Sequence, residues 1–128
     1  MSTTTSWLAL RCGAVRLLLP ADRVEAVGFV ADVDAVDGHW SWRGRLLPVQ
    51  DFCLRLGQGG PATQWVVVAS DDRACVVTVD EVIGLREIAP IDWQPFTAVT
   101  AEAASHFDSV LADAHGSLLR LRQPFAFL

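Results

Sequence analysis

Three features of this sequence predict an all-β fold made of two barrel-like halves. Apolar runs of strand length alternate with compact polar turns, segments with helical periodicity are few and short, and the two halves repeat one pattern. The 128 residues are 52% apolar and 20% charged, which suits one domain that buries a real core.

The elements follow in chain order. "WLAL" (7–10) and "AVRLLL" (14–19) flank "RCG", whose glycine suits a hairpin. "VEAVGFV" (24–30) is apolar enough for a strand. The acidic loop "ADVDAVDG" (31–38) follows; Asp32, Asp34 and Asp37 are spaced somewhat as in a calcium loop but lack the distal bidentate glutamate. In "HWSW" (39–42), alternation puts Trp40 and Trp42 on one face, expected to fill a core, the alternative being an exposed anchor for a partner, with His39, Ser41 and Arg43 on the other. Arg43-Gly44 then ends the strand, offering a fork of donors where a backbone can come close. The alternative for Arg43 is a local pair with Asp51 or Asp80. "RLLPV" (45–49) restarts a strand, its proline tolerated at an edge. "DFCLRLG" (51–57) reads as a short helix capped by Asp51 and stopped by Gly57. "GQGGPAT" (57–63) is linker-like, and the barrel halves are expected to meet there. Next come a hairpin, "QWVVVA" and "ACVVTV" about the turn "SDDR", and the strand "VIGLREI" (82–88). A helical piece is expected around "TAEAASHF" (100–107), before the closing hairpin "SVLADA", "HG", "SLLRLR".

The repeat is specific in context. Trp7 opens a hairpin that leads into "DRVEAV" (22–27), and Trp65 opens one that leads into "DEVIGL" (80–85). Each segment has an acid, a charged residue, valine, two variable positions and an aliphatic. Halves this small are marginal alone, so they should share a core within a single domain spanning 1–128.

The search for chemistry is largely negative. All ten basic residues are arginine, which removes Schiff-base and phosphate-loop lysines. A formal charge of −5 without a basic stripe argues against nucleic acid. Three cysteines, Cys12, Cys53 and Cys75, without a C-x-x-C are expected to be buried free thiols. His39, His106 and His115 show no ligand spacing, and no serine lies in a nucleophile elbow. The expectation is therefore no enzyme, no metal and no cofactor. No apolar run reaches membrane-spanning length and no signal-peptide pattern opens the chain, so no membrane insertion and a cytoplasmic location are expected. A small-ligand-binding β-barrel with tryptophans lining a pocket is the alternative class.

"GHWSWRGRLLPVQDFCLRLG" (38–57) resembles the signature of the CheW-like domain, in which Asn-Leu-Arg-Gly leads to a hydrophobic pair, Pro-Val, Asp-Leu and Leu-Gly. Arg43, Gly44, Pro48, Val49, Asp51, Leu56 and Gly57 match as they stand. "WVVVASDDRACVVTVDEVIGLREI" (65–88) resembles the family's second hairpin, with Val79, Asp80 and Val82 in register. "WLALRCGAVRLLLPADRVEAV" and "DSVLADAHGSLLRLRQPFAFL" resemble its opening and close. The resemblance implies two intertwined five-stranded SH3-like β-barrels. It also implies a non-enzymatic adaptor of the chemosensory array, whose partners are the regulatory domain of a CheA-type histidine kinase and the cytoplasmic tip of methyl-accepting chemoreceptors. Other CheW-like proteins are further candidates, as is an unrelated partner of a divergent module. The partner-binding residues so implied are Arg43, Gly44 and Ser41 beside the receptor groove, Val24 and Val27 on the first barrel's edge strand, and Asp80 and Val82 at the matching place in the second. The chain departs from the pattern in several places. Ser41 replaces asparagine, Trp40 and Trp42 replace aliphatics, and Ala26 stands where a glutamate is usual. The 28–37 loop is several residues short, and Arg122 replaces a common acid.

Overall fold

The structure, a computed structural model, describes residues 3–32, 34–58, 62–96, 106–122 and 125. The chain runs β1 (Thr5–Cys12), β2 (Val15–Pro20), β3 (Val24–Phe29), β4 (His39–Trp42), β5 (Arg45–Asp51), α1 (Phe52–Arg55), β6 (Gln64–Ser70), β7 (Arg73–Val79), β8 (Glu81–Ile88), β9 (Gln94–Pro95), β10 (Phe107–Asp113) and β11 (Gly116–Leu121). Three 3₁₀ turns at 21–23, 30–32 and 90–92 fill connections in which the sequence shows no helical period. The expected helix α1 forms as read: Asp51 accepts a hydrogen bond from the Leu54 N–H, and Gly57 follows at φ +70. The helix expected at 100–107 lies outside the described residues up to residue 105, and Phe107 opens β10.

The strands form two sheets, one ordered β8-β1-β2-β11-β10-β9 and the other β3-β6-β7-β5-β4. Apart from the two-residue β9, the orders are equivalent place by place. In each sheet a tight central hairpin pairs antiparallel with one edge strand and parallel with a strand of another hairpin, a later one for β1–β2 and an earlier one for β6–β7. The repeat read in the sequence reappears as one register. Val24 faces Val68 and Ala26 faces Val67, with a bulge between; Val82 faces Leu10 and Gly84 faces Ala9, with a bulge at the same place. Both Trp65 and Trp7 lie three pairings along, opposite Gly28 and Arg86.

The sheets are not the sequence halves. The hairpin β1–β2 belongs with β8–β11, and the hairpin β6–β7 belongs with β3–β5, so the halves are intertwined through exchanged hairpins. Side-chain alternation explains why. Leu8, Leu10 and Cys12 of β1 and Val66 and Val68 of β6 point into one shared central core with Phe52, Phe107 and Phe125. The opposite faces of the same strands line separate cores. Trp7 and Ala9 pack with Leu18, Ile88 and Leu118, while Trp65 and Val67 pack with Trp42, Leu47 and Val76. A hairpin buried on both faces must be apolar along its length, hence the unbroken runs "WLAL" and "WVVVA".

Side chains at the far ends of each sheet order close the barrels. Trp40 of β4 meets Trp65 of β6 edge-on at 5.0 Å, and Arg45 of β5 reaches Glu25 of β3 at 3.3 Å. In the other barrel Asp113 of β10 holds Arg16 of β2 at 2.6 Å and Arg86 of β8 at 2.7 Å, and also accepts the His115 N–H at 2.8 Å. The two guanidinium groups and the backbone donor hold the Asp113 carboxyl well below the usual carboxylate range, Arg16 contributing most. A lowered folded-state value stabilises the protein above the unfolded value, and that stability is lost as pH falls through the folded one. Asp113→Asn is therefore expected to lower the melting temperature at neutral pH. The gap to the parent should shrink as pH falls below about 4, which thermal unfolding across an acid series measures.

Gly28 has ordinary φ but is required for space. A Cβ there would collide with the Trp65 ring. Gly28→Ala is expected to cost about 1–3 kcal/mol in urea unfolding.

Candidate functional site

The β4–β5 hairpin carries the densest set of candidate residues. Its connection is the two-residue turn Arg43-Gly44, closed by the pair Trp42–Arg45. Both turn residues have positive φ, +49 and +77, as the tight turn that matches strand twist demands. Glycine takes that conformation freely, but for arginine the left-handed region costs about 1–2 kcal/mol.

Trp42 and Trp40 point inward, as alternation predicts. Trp42 is buried with Leu47, Trp65 and Val67, and Trp40 is half-buried against the same cluster. Ser41 and Leu46 are paired across the hairpin on its other face, and both are exposed, Leu46 at 70%. Leu46 also lines an open cleft of about 420 Å³ with Arg45, Leu47, Pro48, Asp72, Arg73 and Ala74.

Arg43 makes no ion pair among the described residues, and the local pair weighed for it is not formed. Asp51 is occupied in capping α1, and Asp80 accepts the Gly13 N–H at 2.5 Å and approaches Arg11 at 3.6 Å. The Arg43 guanidinium carbon lies instead over the Trp42 ring, 4.4 Å from its centroid. An exposed cation–π contact is worth about 0.5–1 kcal/mol, which at best balances the cost of the turn conformation. Arg43 therefore contributes little to stability.

The remaining candidates divide by burial. Val24 and Val82 are half-buried against the central core, and the Val82 N–H donates to Gln64 Oε1 at 2.7 Å. Asp80 acts as a bracket: besides Gly13 and Arg11 it accepts from Cys53 Sγ at 3.6 Å, tying the β1–β2 turn to α1 and β8. Val27 is 47% exposed on β3. Ala26 packs against the barrel core formed by Trp42, Leu47, Trp65, Val67 and Val76, while the neighbouring Glu25 faces outward to Arg45.

Sequence reading missed the exposed apolar side chains around Val27. Phe29 follows it on β3 at 63%, and β8 presents Ile83 at 45% and Leu85 at 70%. The available signal was period-two alternation on both strands: 25, 27 and 29 face outward, as do 81, 83, 85 and 87. Since β3 and β8 close the two sheet orders at equivalent ends, the protein carries two related apolar edge surfaces.

Cys12 and Cys53 lie against each other and against Asp80. All three cysteines are buried and free; burial raises Cys12 and Cys53 and pushes Cys75 up to about 12, which suppresses the thiolate. Among the described residues no group of three or more His, Cys, Asp and Glu could hold a metal ion. A second open cleft, of about 490 Å³ between β8, β9 and β10, is lined by polar and apolar residues in equal number, and neither cleft is lined by a tryptophan. No helix among the described residues is long and apolar enough to cross a membrane.

The CheW-like domain profile matches residues 3–125, and the chain belongs to that family, one of scaffold and adaptor proteins of chemotaxis. The crystal structure of the scaffolding protein TtCheW from Thermoanaerobacter tengcongensis superposes with a TM-score of 0.78 at 16% identity, covering 94% of this chain and 90% of that one. Comparison with curated proteins returns no match.

Two stability predictions follow from the hairpin. Trp42→Ala should cost about 3–5 kcal/mol in urea unfolding and Trp40→Ala less, because Trp40 is only half-buried. Arg43→Asn, which suits the positive φ, should leave the unfolding midpoint unchanged or raise it.

Proposed function

We propose that this protein is a non-enzymatic cytoplasmic adaptor that couples a CheA-type histidine kinase to the cytoplasmic tips of chemoreceptors. Family membership supports the adaptor class, and the presence of two kinds of exposed surface, the apolar edge strands β3 and β8 and the Arg43 turn of the β4–β5 hairpin, is the observation that carries the two-partner reading. An adaptor needs separate contacts. Val27 with Phe29 on β3, and Ile83 with Leu85 on β8, leave apolar area exposed on two different sheets of one small protein. In this reading β3, including Val24 and Val27, and the start of β8, including Asp80 and Val82, form the barrel ends offered to the kinase. Val24, Asp80 and Val82 hold the strands in place, while the outward side chains make the contact. Ser41, Arg43 and Gly44 face the receptor. Catalysis has no part in this function.

Titration of the purified protein with a kinase regulatory domain and, separately, with a receptor cytoplasmic fragment from the same source tests the proposal. Both should bind. Val27→Asp should weaken the kinase complex about tenfold or more with the melting temperature unchanged, since Val27 is 47% exposed, and should leave the receptor complex intact. Binding of neither partner by the folded parent protein would contradict the proposal.

A further inference from the structure

The Arg43 side chain sets a physical question that its fold does not answer. It occupies a turn position that glycine, asparagine or aspartate would fill with less strain. It is exposed, faces no carboxylate among the described residues, and lies over the ring of a tryptophan that is itself locked in a barrel core. In a chain with a formal charge of −5, that is an uncompensated positive group held at a hairpin tip.

We propose that Trp42 is a positioning residue, and that it holds the Arg43 guanidinium as a preformed clamp for a carboxylate on the bound partner. The inference rests on the adaptor reading for the partner's identity, but the chemistry is set by the hairpin. A guanidinium covered on one face by an indole keeps its N–H donors free at its edge, and such a planar fork matches the two oxygens of a carboxylate. The ring restricts the long side chain before binding, so less freedom is lost when the partner arrives. Trp42 is able to serve in this way because its own position is fixed: it is 9% exposed and packs with Leu47, Trp65, Val67 and Val76. Gly44 presents no Cβ beside the turn, and nothing lies within 4 Å of where one would stand, so the approach is open. The partner that fits is a protein surface bearing an aspartate or glutamate, such as the receptor fragment of the adaptor reading.

The test compares receptor-fragment binding by the full chain and its Arg43→Lys, Arg43→Ala, Trp42→Phe and Trp42→Leu variants, at low and high salt, with melting curves for each. Arg43→Ala should weaken binding about tenfold and flatten its salt dependence. Arg43→Lys should recover only part of the loss, because an ammonium keeps the charge without the planar fork. Trp42→Phe, which keeps an aromatic face, should bind within about twofold of the parent, and Trp42→Leu should behave like Arg43→Lys. If Arg43→Lys binds like the parent, or if folded Trp42→Leu does, the clamp is overturned while the adaptor reading stands. If the parent binds neither receptor fragment nor kinase domain, the adaptor reading itself fails. Should Trp42→Leu not fold, the surface substitution Arg43→Lys decides the matter alone.

Discussion

Every other feature of this protein depends on burying its two central hairpins on both faces. A two-stranded ribbon in water is marginal, and a barrel built from about 60 residues has little core of its own. Exchanging β1–β2 and β6–β7 between the sheets removes that problem. Each hairpin contributes one face to its own barrel and the other to a core common to both. The two barrels thus become a single hydrophobic unit. The residues at the joint reflect this: Asp80 fixes the β1–β2 turn to the beginning of β8, and Gln64 of β6 receives the Val82 N–H.

Sealing the middle leaves the peripheral elements free for other work. Among the central strands nearly all apolar side chains are buried, whereas β3 and β8 keep theirs half outward and the β4–β5 hairpin projects Ser41, Arg43 and Leu46 into solvent. Both barrels combine packed tryptophans with ion pairs. In one, Asp113 binds two arginines and Trp7 meets Trp93 edge-on at 5.3 Å. In the other, Trp40 meets Trp65 edge-on and the exposed Arg45–Glu25 pair adds at most about 1 kcal/mol.

Much of this was legible in the sequence, for physical reasons. Doubly buried strands must be continuously apolar and turns must be polar or glycine-rich, so hairpins and their order could be read directly. The "DRVEAV" and "DEVIGL" echo was real because both segments meet the same bulged register. Alternation placed Trp40 and Trp42 inward for the same reason. Hairpin exchange was not legible from pattern, since a strand's composition records that both faces are buried but not against what. Nor was the fate of Asp80: an acid in a motif looks identical whether it meets a partner or caps a backbone N–H. Arg43 over Trp42 was hidden by strand logic, which sets residue 43 on the face opposite residue 42 until the positive φ of the turn redirects it.

Native-state hydrogen exchange, followed amide by amide in increasing denaturant, tests the shared core most directly. Amides of β1, β2, β6 and β7 should all exchange only through global unfolding, with one common free energy and denaturant slope, while β3, β4 and β8 exchange sooner at their edges. Two separate plateaus, with the hairpin of one sheet opening while the other stays protected, would show the barrels to be independent units and contradict the account.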